Sequence, residues 1–194
     1  MPDSSIVPAA RAQAERILGL HDGVGDGAMA GATAYVVLDA AQDASIYPRL
    51  RRAGADAEVV PLYAGATAAD LAAVAPYLVS LHTGDALFDW LWGAGWGRNW
   101  GVFLSSTASI DPLRAHFRRL TRIRVQNGRT LLFRFYDPRV LPAFLPICDP
   151  EQLDEVFGPV TQFCVEADGG AALEQFSRVG GQLLRQHHAL PARG

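Results

Sequence analysis

The stretch LLFRFYDPRVL, from Leu131 to Leu141, is the most informative part of the chain. Its alternating apolar and aromatic residues predict a buried strand, which an Asp-Pro-Arg turn then ends. Arg134 lies inside this strand, on the face opposite its phenylalanine neighbours. Because a buried arginine needs a carboxylate partner, and because Asp137 and Asp39 each follow an apolar strand, we expect Arg134 to form an ion pair with one of them.

The segments around this stretch predict an α/β fold. Asn127-Gly128 lies between two apolar runs, which is the strongest short signal for a β-hairpin. Earlier in the chain, strands alternate with helices, so we expect a mixed sheet with flanking helices. The predicted strands are 34–38, 58–63, 76–81, 100–106, 122–125, 130–136 and 160–165. The predicted helices are 8–20, 46–53, 67–74, 86–92, 110–120, 140–147, 151–157 and 173–184. Asp85 is predicted as the N-cap of the helix over 86–92.

The domain organisation is predicted as one globular domain with a C-terminal helix. Residues 1–31 form a helix and a glycine-rich linker, residues 32–166 the α/β core, and residues 167–194 an amphipathic helix and tail. The apolar stripe of this last helix must be covered, and Gly180-Gly181 weakens it by about 1 kcal/mol per glycine. We therefore expect it to pack on its own domain. The stripe consists of Leu173, Phe176, Val179 and Leu183.

Composition excludes several classes of protein. All 17 basic residues are arginine, which excludes a lysine nucleophile, a Schiff-base lysine and a P-loop lysine. The net charge of -3 argues against a general nucleic-acid binder. No apolar run approaches the roughly 18 residues of a membrane span, and no signal peptide is recognisable, so a cytoplasmic location is expected. Cys148 and Cys164 lack CxxC spacing, which predicts two buried, reduced thiols.

Two groups of residues superficially suggest a small-molecule site. The glycines between Gly23 and Gly31 follow a helix and precede a strand, the reverse of the order in a dinucleotide-binding fingerprint. The adjacent histidines His187 and His188 would point about 100° apart on a helix, so they suit a solvated tail better than a metal site. We expect no cofactor and no metal.

A serine hydrolase is an alternative that the sequence leaves open. Ser105 and Ser106 follow a strand and precede a helix, where an esterase nucleophile would lie, and His82 and Asp85 or His116 could complete a triad. The G-x-S-x-G motif is absent, however. Capping of the helix that begins at Ile110, by Ser106, Thr107 or Ser109, is the favoured explanation of these hydroxyls.

A candidate partner surface is indicated by arginine and tryptophan. Eight arginines lie between positions 114 and 139, and the span 111–139 contains only two acids, Asp111 and Asp137, so this region is either a solvated face or a docking surface for an acidic partner. Arg114, Arg118 and Arg119 should lie on the exposed side of one helix. Among four neighbouring tryptophans, Trp90 and Trp100 are expected inside. Trp96, between two glycines, is the candidate for an exposed anchor.

Five stretches occur in an order that resembles a known family: YVVLDAAQDASIYPRL, APYLVSL, WGVFLSS, LRAHFRRLTRIRVQNGRTLLFRFYDPRVLPAFL and FGPVTQF. Together they resemble the domain-of-unknown-function family 4123, the adaptor chaperones of bacterial type VI secretion. The resemblance runs from about Ala34 to Phe163, and FRFYDPRVL is its most specific part. The family motif falls on Asp39, Tyr47, Pro48, Pro76, Tyr77, Leu78, Trp100, Gly101, Arg134, Phe135, Tyr136, Asp137, Pro138 and Arg139.

The resemblance implies a non-enzymatic function. Members of the family bind a toxic effector in the cytoplasm and help to load it on the spike protein of the secretion machine. We therefore interpret the chain as an adaptor that binds an effector and the spike protein. We expect it to bind no nucleic acid and to have no membrane span. A small serine hydrolase and a ligand-binding regulatory module remain the alternatives.

Overall fold

The computed structural model describes residues 6–20, 31–53, 57–65, 68–124 and 130–192. The helices formed by these residues are α1 (Ile6–Leu18), α2 (Ile46–Ala53), α3 (Ala86–Trp90), α4 (Ile110–Leu120), α5 (Leu141–Phe144) and α6 (Pro150–Phe157). The strands are β1 (Thr33–Asp39), β2 (Val59–Pro61), β3 (Pro76–Leu81), β4 (Gly101–Ser106), β5 (Arg122–Arg124), β6 (Thr130–Leu132), β7 (Val160–Ala167), β8 (Ala172–Val179) and β9 (Gln182–Ala189).

Seven of these strands form one sheet in the order β2-β3-β1-β4-β7-β8-β9, and β5 pairs with β6 apart from it. The predicted α/β class is confirmed. The predicted mixture of parallel and antiparallel strands is not observed, because every described strand pair is antiparallel. Antiparallel strands can be joined by a two-residue turn, as between β8 and β9, whereas parallel strands need a longer crossover connection.

Both faces of the sheet are covered by helices, which explains why its central strands are apolar throughout. Alternate residues of β1 face opposite sides, so that Val36 and Leu38 enter one core cluster and Tyr35 and Val37 the other. Helices α1, α2 and α3 cover the first cluster. Helices α4, α5 and α6 cover the second. A strand buried on both faces shows a continuous apolar run rather than alternation.

The C-terminal helix and tail predicted for residues 167–194 are wrong, because this region forms the β8–β9 hairpin and extends the main sheet. Gly180 and Gly181 both have positive φ angles, 60° and 78°, and form the two-residue turn between the strands. Leu173 and Phe176 therefore lie on opposite faces and join different core clusters. The prediction that the apolar stripe packs on its own domain is confirmed for Leu173 and Phe176, whereas the Val179 side chain is exposed.

Other differences concern the ends of elements. The strand predicted over 130–136 ends at Leu132, and residues 135–140 form successive turns that lead into α5. The helix predicted over 67–74 is only a 3₁₀ turn at Ala72–Val74, and Thr67 lies outside the described residues. Residues 21–30 of the predicted linker and Asn127-Gly128 of the hairpin turn also lie outside them. Among the residues described, no helix has the length and apolar character that crossing a bilayer requires.

Several local predictions are confirmed. Helix α2 covers the residues predicted for it, and α4 begins and ends where the spacing of its apolar residues indicated. Asp85 is the N-cap of α3, since its side chain accepts a 2.7 Å hydrogen bond from the Leu87 N–H. Helix α3 then continues into a π-helical turn at Leu91–Gly95.

Candidate functional site

A buried carboxylate at the end of β1 organises the residues that the sequence singled out. Asp39 accepts hydrogen bonds from Arg134 Nη2 at 2.5 Å, Gln42 Nε2 at 2.9 Å and the Ala41 N–H at 3.1 Å. Its backbone N–H donates to the Trp100 carbonyl at 2.8 Å. Of the two partners predicted for Arg134, Asp39 is therefore the one at hydrogen-bond distance. Nothing in the sequence pattern indicated Gln42, because its role depends on the turn that follows β1.

Asp137 is a second buried carboxylate in the same network. Arg139 donates to it through Nε and Nη2, both at 2.8 Å, and through its backbone N–H at 2.9 Å. Arg134 Nη2 lies 3.9 Å from Asp137 Oδ2. The two guanidinium groups reach the surface, with side chains 42% exposed for Arg134 and 60% for Arg139. The expectation of a buried arginine is wrong: the carboxylates are buried and the arginines cover them.

The surroundings of Asp137 favour its ionised form. Burial alone would raise the pKa of Asp137, but the hydrogen bonds from Arg139 and the charges of both arginines lower it below its ordinary value. Burial raises the pKa of the Tyr136 hydroxyl well above its ordinary value, and the hydrogen bond to Tyr63, 3.4 Å between the hydroxyl oxygens, acts in the same direction. With two carboxylates and two guanidiniums, the network is electrically balanced.

The remaining signature residues form the frame around this network. Pro76 is the β3 residue opposite Asp39, and Gly101 is obligatory because a Cβ there would lie 2.2 Å from the Val37 carbonyl oxygen. The other signature side chains that pack in the interior are Tyr77, Leu78, Trp100, Phe135, Tyr136 and Pro138. Pro48 is exposed, and Tyr47 is half-buried with its ring centroid 6.0 Å from that of Tyr77.

The predicted arginine face of α4 divides into two kinds of residue. Arg119 is exposed and Arg114 is half-buried. Arg118 is instead a tether, since its Nη2 donates to the Pro61 carbonyl at 3.3 Å and the Tyr63 carbonyl at 3.2 Å. Burial and the charge of Arg114 lower the pKa of Arg118. A charge reversal at Arg118 would therefore disturb the fold, contrary to the expectation that all three could be reversed freely.

Trp96 is not an exposed anchor, and that prediction is wrong. Its side chain is buried, and its indole Nε1 donates a 2.9 Å hydrogen bond to the Gly170 carbonyl. A Cβ at Gly170 would lie 2.8 Å from the indole, so this glycine allows the β7–β8 connection to cover the ring. Trp100 is buried as expected, and Trp90 is partly buried against it with ring centroids 5.1 Å apart.

The serines considered as nucleophiles are both buried and bonded to backbone groups. Ser105 Oγ donates to the Leu18 carbonyl at 3.3 Å, and Ser106 Oγ donates to the Pro159 carbonyl at 2.6 Å. His116 Nε2 lies 3.0 Å from the Val156 carbonyl, so this ring nitrogen is engaged with the backbone of α6. The expected side-chain cap of α4 is not observed: the N-cap residue is Ser109, and its hydroxyl makes no capping hydrogen bond to the helix.

The remaining candidate ligands of a metal or cofactor lie apart. His187 and His188 lie on β9, not in a tail: His188 contacts Gln175 at 2.9 Å, and His187 lies 3.6 Å from Asp168. Both cysteines are free, with Cys164 buried and Cys148 half-buried. Within the described ranges, no three histidine, cysteine or acidic residues are arranged to hold a metal ion.

Comparison with known proteins agrees with this frame. The family described as Domain of unknown function (DUF4123) matches residues 34–155. The chain belongs to this family. The match includes every signature residue around Asp39 and ends before β7, so the β7–β9 part of the sheet lies outside the DUF4123 match. No curated protein and no solved structure gives a significant match to the chain.

Proposed function

We propose that this DUF4123 protein is an adaptor that binds a type VI secretion effector in the cytoplasm and promotes its loading on the spike protein. The observation that supports this role is the convergence of the family signature on one network around Asp39. The resemblance assigns that signature to effector adaptors, and the DUF4123 match covers it in full.

The chemistry of the network suits a scaffold better than a catalyst. Its two carboxylates each accept several hydrogen bonds, and their charges are balanced by Arg134 and Arg139. A general acid or base needs a pKa near the working pH, whereas the pKa of Asp137 is lowered. The network holds the segment that follows β6 against the end of β1, and this arrangement presents a defined outer surface to a protein partner.

The proposal includes no catalytic step, cofactor or metal. Both serines of the hydrolase alternative donate their hydroxyl hydrogen to backbone carbonyls inside the fold. Ser105 also accepts from Gln162 Nε2 at 3.2 Å, which links β4 to β7. These bonds favour a structural role for the hydroxyls, because a nucleophile must be accessible and must face a base.

Co-expression with the neighbouring gene products tests the proposal. The affinity-tagged full chain is expressed with the protein encoded beside it and with the spike protein, and the complexes are separated by size-exclusion chromatography. We expect co-elution with the adjacent effector, and loss of effector secretion when the adaptor gene is deleted. An effector encoded in a different secretion cluster is the control. Normal effector secretion without the adaptor would contradict the proposal.

A second measurement distinguishes the proposed adaptor from the serine hydrolase alternative. Turnover of p-nitrophenyl esters is measured for the wild type and for Ser105→Ala and Ser106→Ala, each checked for an unchanged melting temperature. We expect no turnover above the uncatalysed rate. Wild-type turnover that either serine variant abolishes would favour the hydrolase.

A further inference from the structure

An open groove separates helix α4 from the segment that follows β2, and we name it the α4 groove. Its volume is about 310 Å³. It lies beside the signature network, because Tyr63 lines the groove and contacts the Tyr136 hydroxyl. The lining residues are Leu62, Tyr63, Ala64, Leu71, Arg118, Thr121, Arg122 and Leu132.

The groove combines a buried floor with two exposed leucines. Leu62 is buried at its base, whereas Leu71 is 41% exposed and Leu132 is 55% exposed. Scattered exposed leucines need no explanation, but two that line one hollow form an apolar surface available for contact. A side chain of leucine or similar size placed between them would remove apolar area from water on both partners.

The rim of the groove is basic. Arg118 of α4 and Arg122 of β5 line it, and Arg114 and Arg119 are further arginines of α4. In the described parts of the chain, no carboxylate lies within ion-pair distance of any of these four arginines. Their charges therefore add to a positive potential at the groove, and a surface with a positive potential favours a negatively charged partner.

We propose that the α4 groove binds an acidic, leucine-containing segment of the effector, a conclusion that rests on the proposed function. The leucine side chain lies between Leu71 and Leu132, a flanking carboxylate meets Arg122, and the exposed Arg119 of α4 adds to the attractive potential. Charge complementarity favours this occupant over nucleic acid, because a chain of net charge -3 with exposed leucines is poorly suited to a phosphate backbone.

The binding test uses a fluorescently labelled synthetic peptide of alternating glutamate and leucine pairs, with fluorescence anisotropy as the readout on the full chain. The variant is Arg119→Glu with Arg122→Glu, since both side chains are exposed and have no carboxylate partner in the described residues. Arg118 is left intact because it tethers Pro61 and Tyr63. The matched control is Arg51→Glu with Arg52→Glu, two exposed arginines of α2.

We expect the groove variant to weaken peptide binding at least tenfold with an unchanged melting temperature, and the α2 control to bind almost as the wild type does. Leu71→Ser with Leu132→Ser should weaken binding as well. Equal losses in the α2 control and the groove variant would show a non-specific charge effect and overturn the proposal. So would peptide binding that none of the variants alters.

Repeating the measurement with the co-expressed effector separates this proposal from the proposed function. Effector binding by the wild type that the groove variant loses supports both. Effector binding that the groove variant retains overturns the groove assignment and leaves the adaptor function standing. Failure of the wild type to bind any effector, with peptide binding intact, overturns the proposed function and the effector as the occupant, and leaves only the acidic, leucine-containing chemistry of the groove's ligand. A dimer that the groove variant abolishes would assign the groove to a second copy and overturn the proposal.

Discussion

Arg134 and Asp39, 95 residues apart in the chain, are joined by a 2.5 Å hydrogen bond between Nη2 and Oδ2. The carboxylate is buried, whereas the guanidinium is partly in water. The pair is therefore asymmetric. When the bond breaks, water can form hydrogen bonds to the exposed guanidinium of Arg134, but it has little access to the buried carboxylate of Asp39. The bond ties the segment between β6 and α5 to the end of β1.

Removal of Arg134 should destabilise the fold through the carboxylate that is left behind. We expect Arg134→Ala to lower the free energy of unfolding by about 1–3 kcal/mol, less than the 3–5 kcal/mol of a fully buried pair, because the guanidinium is half exposed and Gln42 and the Ala41 N–H still bond to Asp39. Urea unfolding at pH 7 measures it. Adding Asp39→Asn should recover part of the loss. An unchanged unfolding midpoint would show that Arg134 serves only as a surface contact.

Acid should weaken the fold in part through Asp137. Its folded-state pKa is lowered relative to an unfolded value of about 3.9, so its stabilising contribution is complete above that value and is lost as the pH falls through the folded-state pKa. Asp137→Asn should therefore be less stable at pH 7 and should flatten the stability curve between about pH 5 and pH 2. Urea titrations across this range measure the slope. Asp70→Asn, at an exposed carboxylate, is the control, and an Asp137→Asn curve parallel to the wild type would refute the assignment.

The geometry of the β8–β9 turn predicts whether replacing its glycines raises or lowers the stability of the fold. Gly180 and Gly181 have positive φ angles and no atom within 4 Å of an added Cβ, so alanine there strains the backbone without a clash. Each glycine-to-alanine change should lower stability by about 1 kcal/mol, whereas Gly180→Asn should be tolerated because a turn of this type accepts asparagine. Thermal unfolding measures both. A helix over this segment would give the opposite sign, with alanine stabilising.

Phe176 and Val179, on the same strand, should respond very differently to truncation. Phe176 is completely buried in the second core cluster, and Val179 is 65% exposed. Phe176→Ala should therefore lower the free energy of unfolding by about 3–5 kcal/mol, and Val179→Ala should change it by less than about 0.5 kcal/mol. Urea unfolding of the pair measures the difference. Similar effects at both positions would mean that β8 does not lie in the main sheet as described.

The sequence by itself determined the elements whose signals are local. Helical spacing predicted α4, Asp85 predicted the start of α3, and continuous apolar runs predicted β1, β3 and β4. The sequence also restricted the partner of Arg134 to Asp39 or Asp137, because an arginine among apolar residues requires a carboxylate, but it did not choose between the two. Each of these inferences depends on neighbouring residues or on residue type, both of which are visible in the sequence.

The tertiary structure alone decided the properties that depend on residues distant in the chain. The spacing of Leu173 and Phe176 fits one face of a helix, but in a strand the same residues face opposite core clusters, and the turn at Gly180-Gly181 selects the strand. Trp96 is buried because the β7–β8 connection covers it. The α4 groove exists because segments near Leu62, Arg118 and Leu132 meet. Burial and surface potential are sums over such neighbours, so only the folded chain defines them.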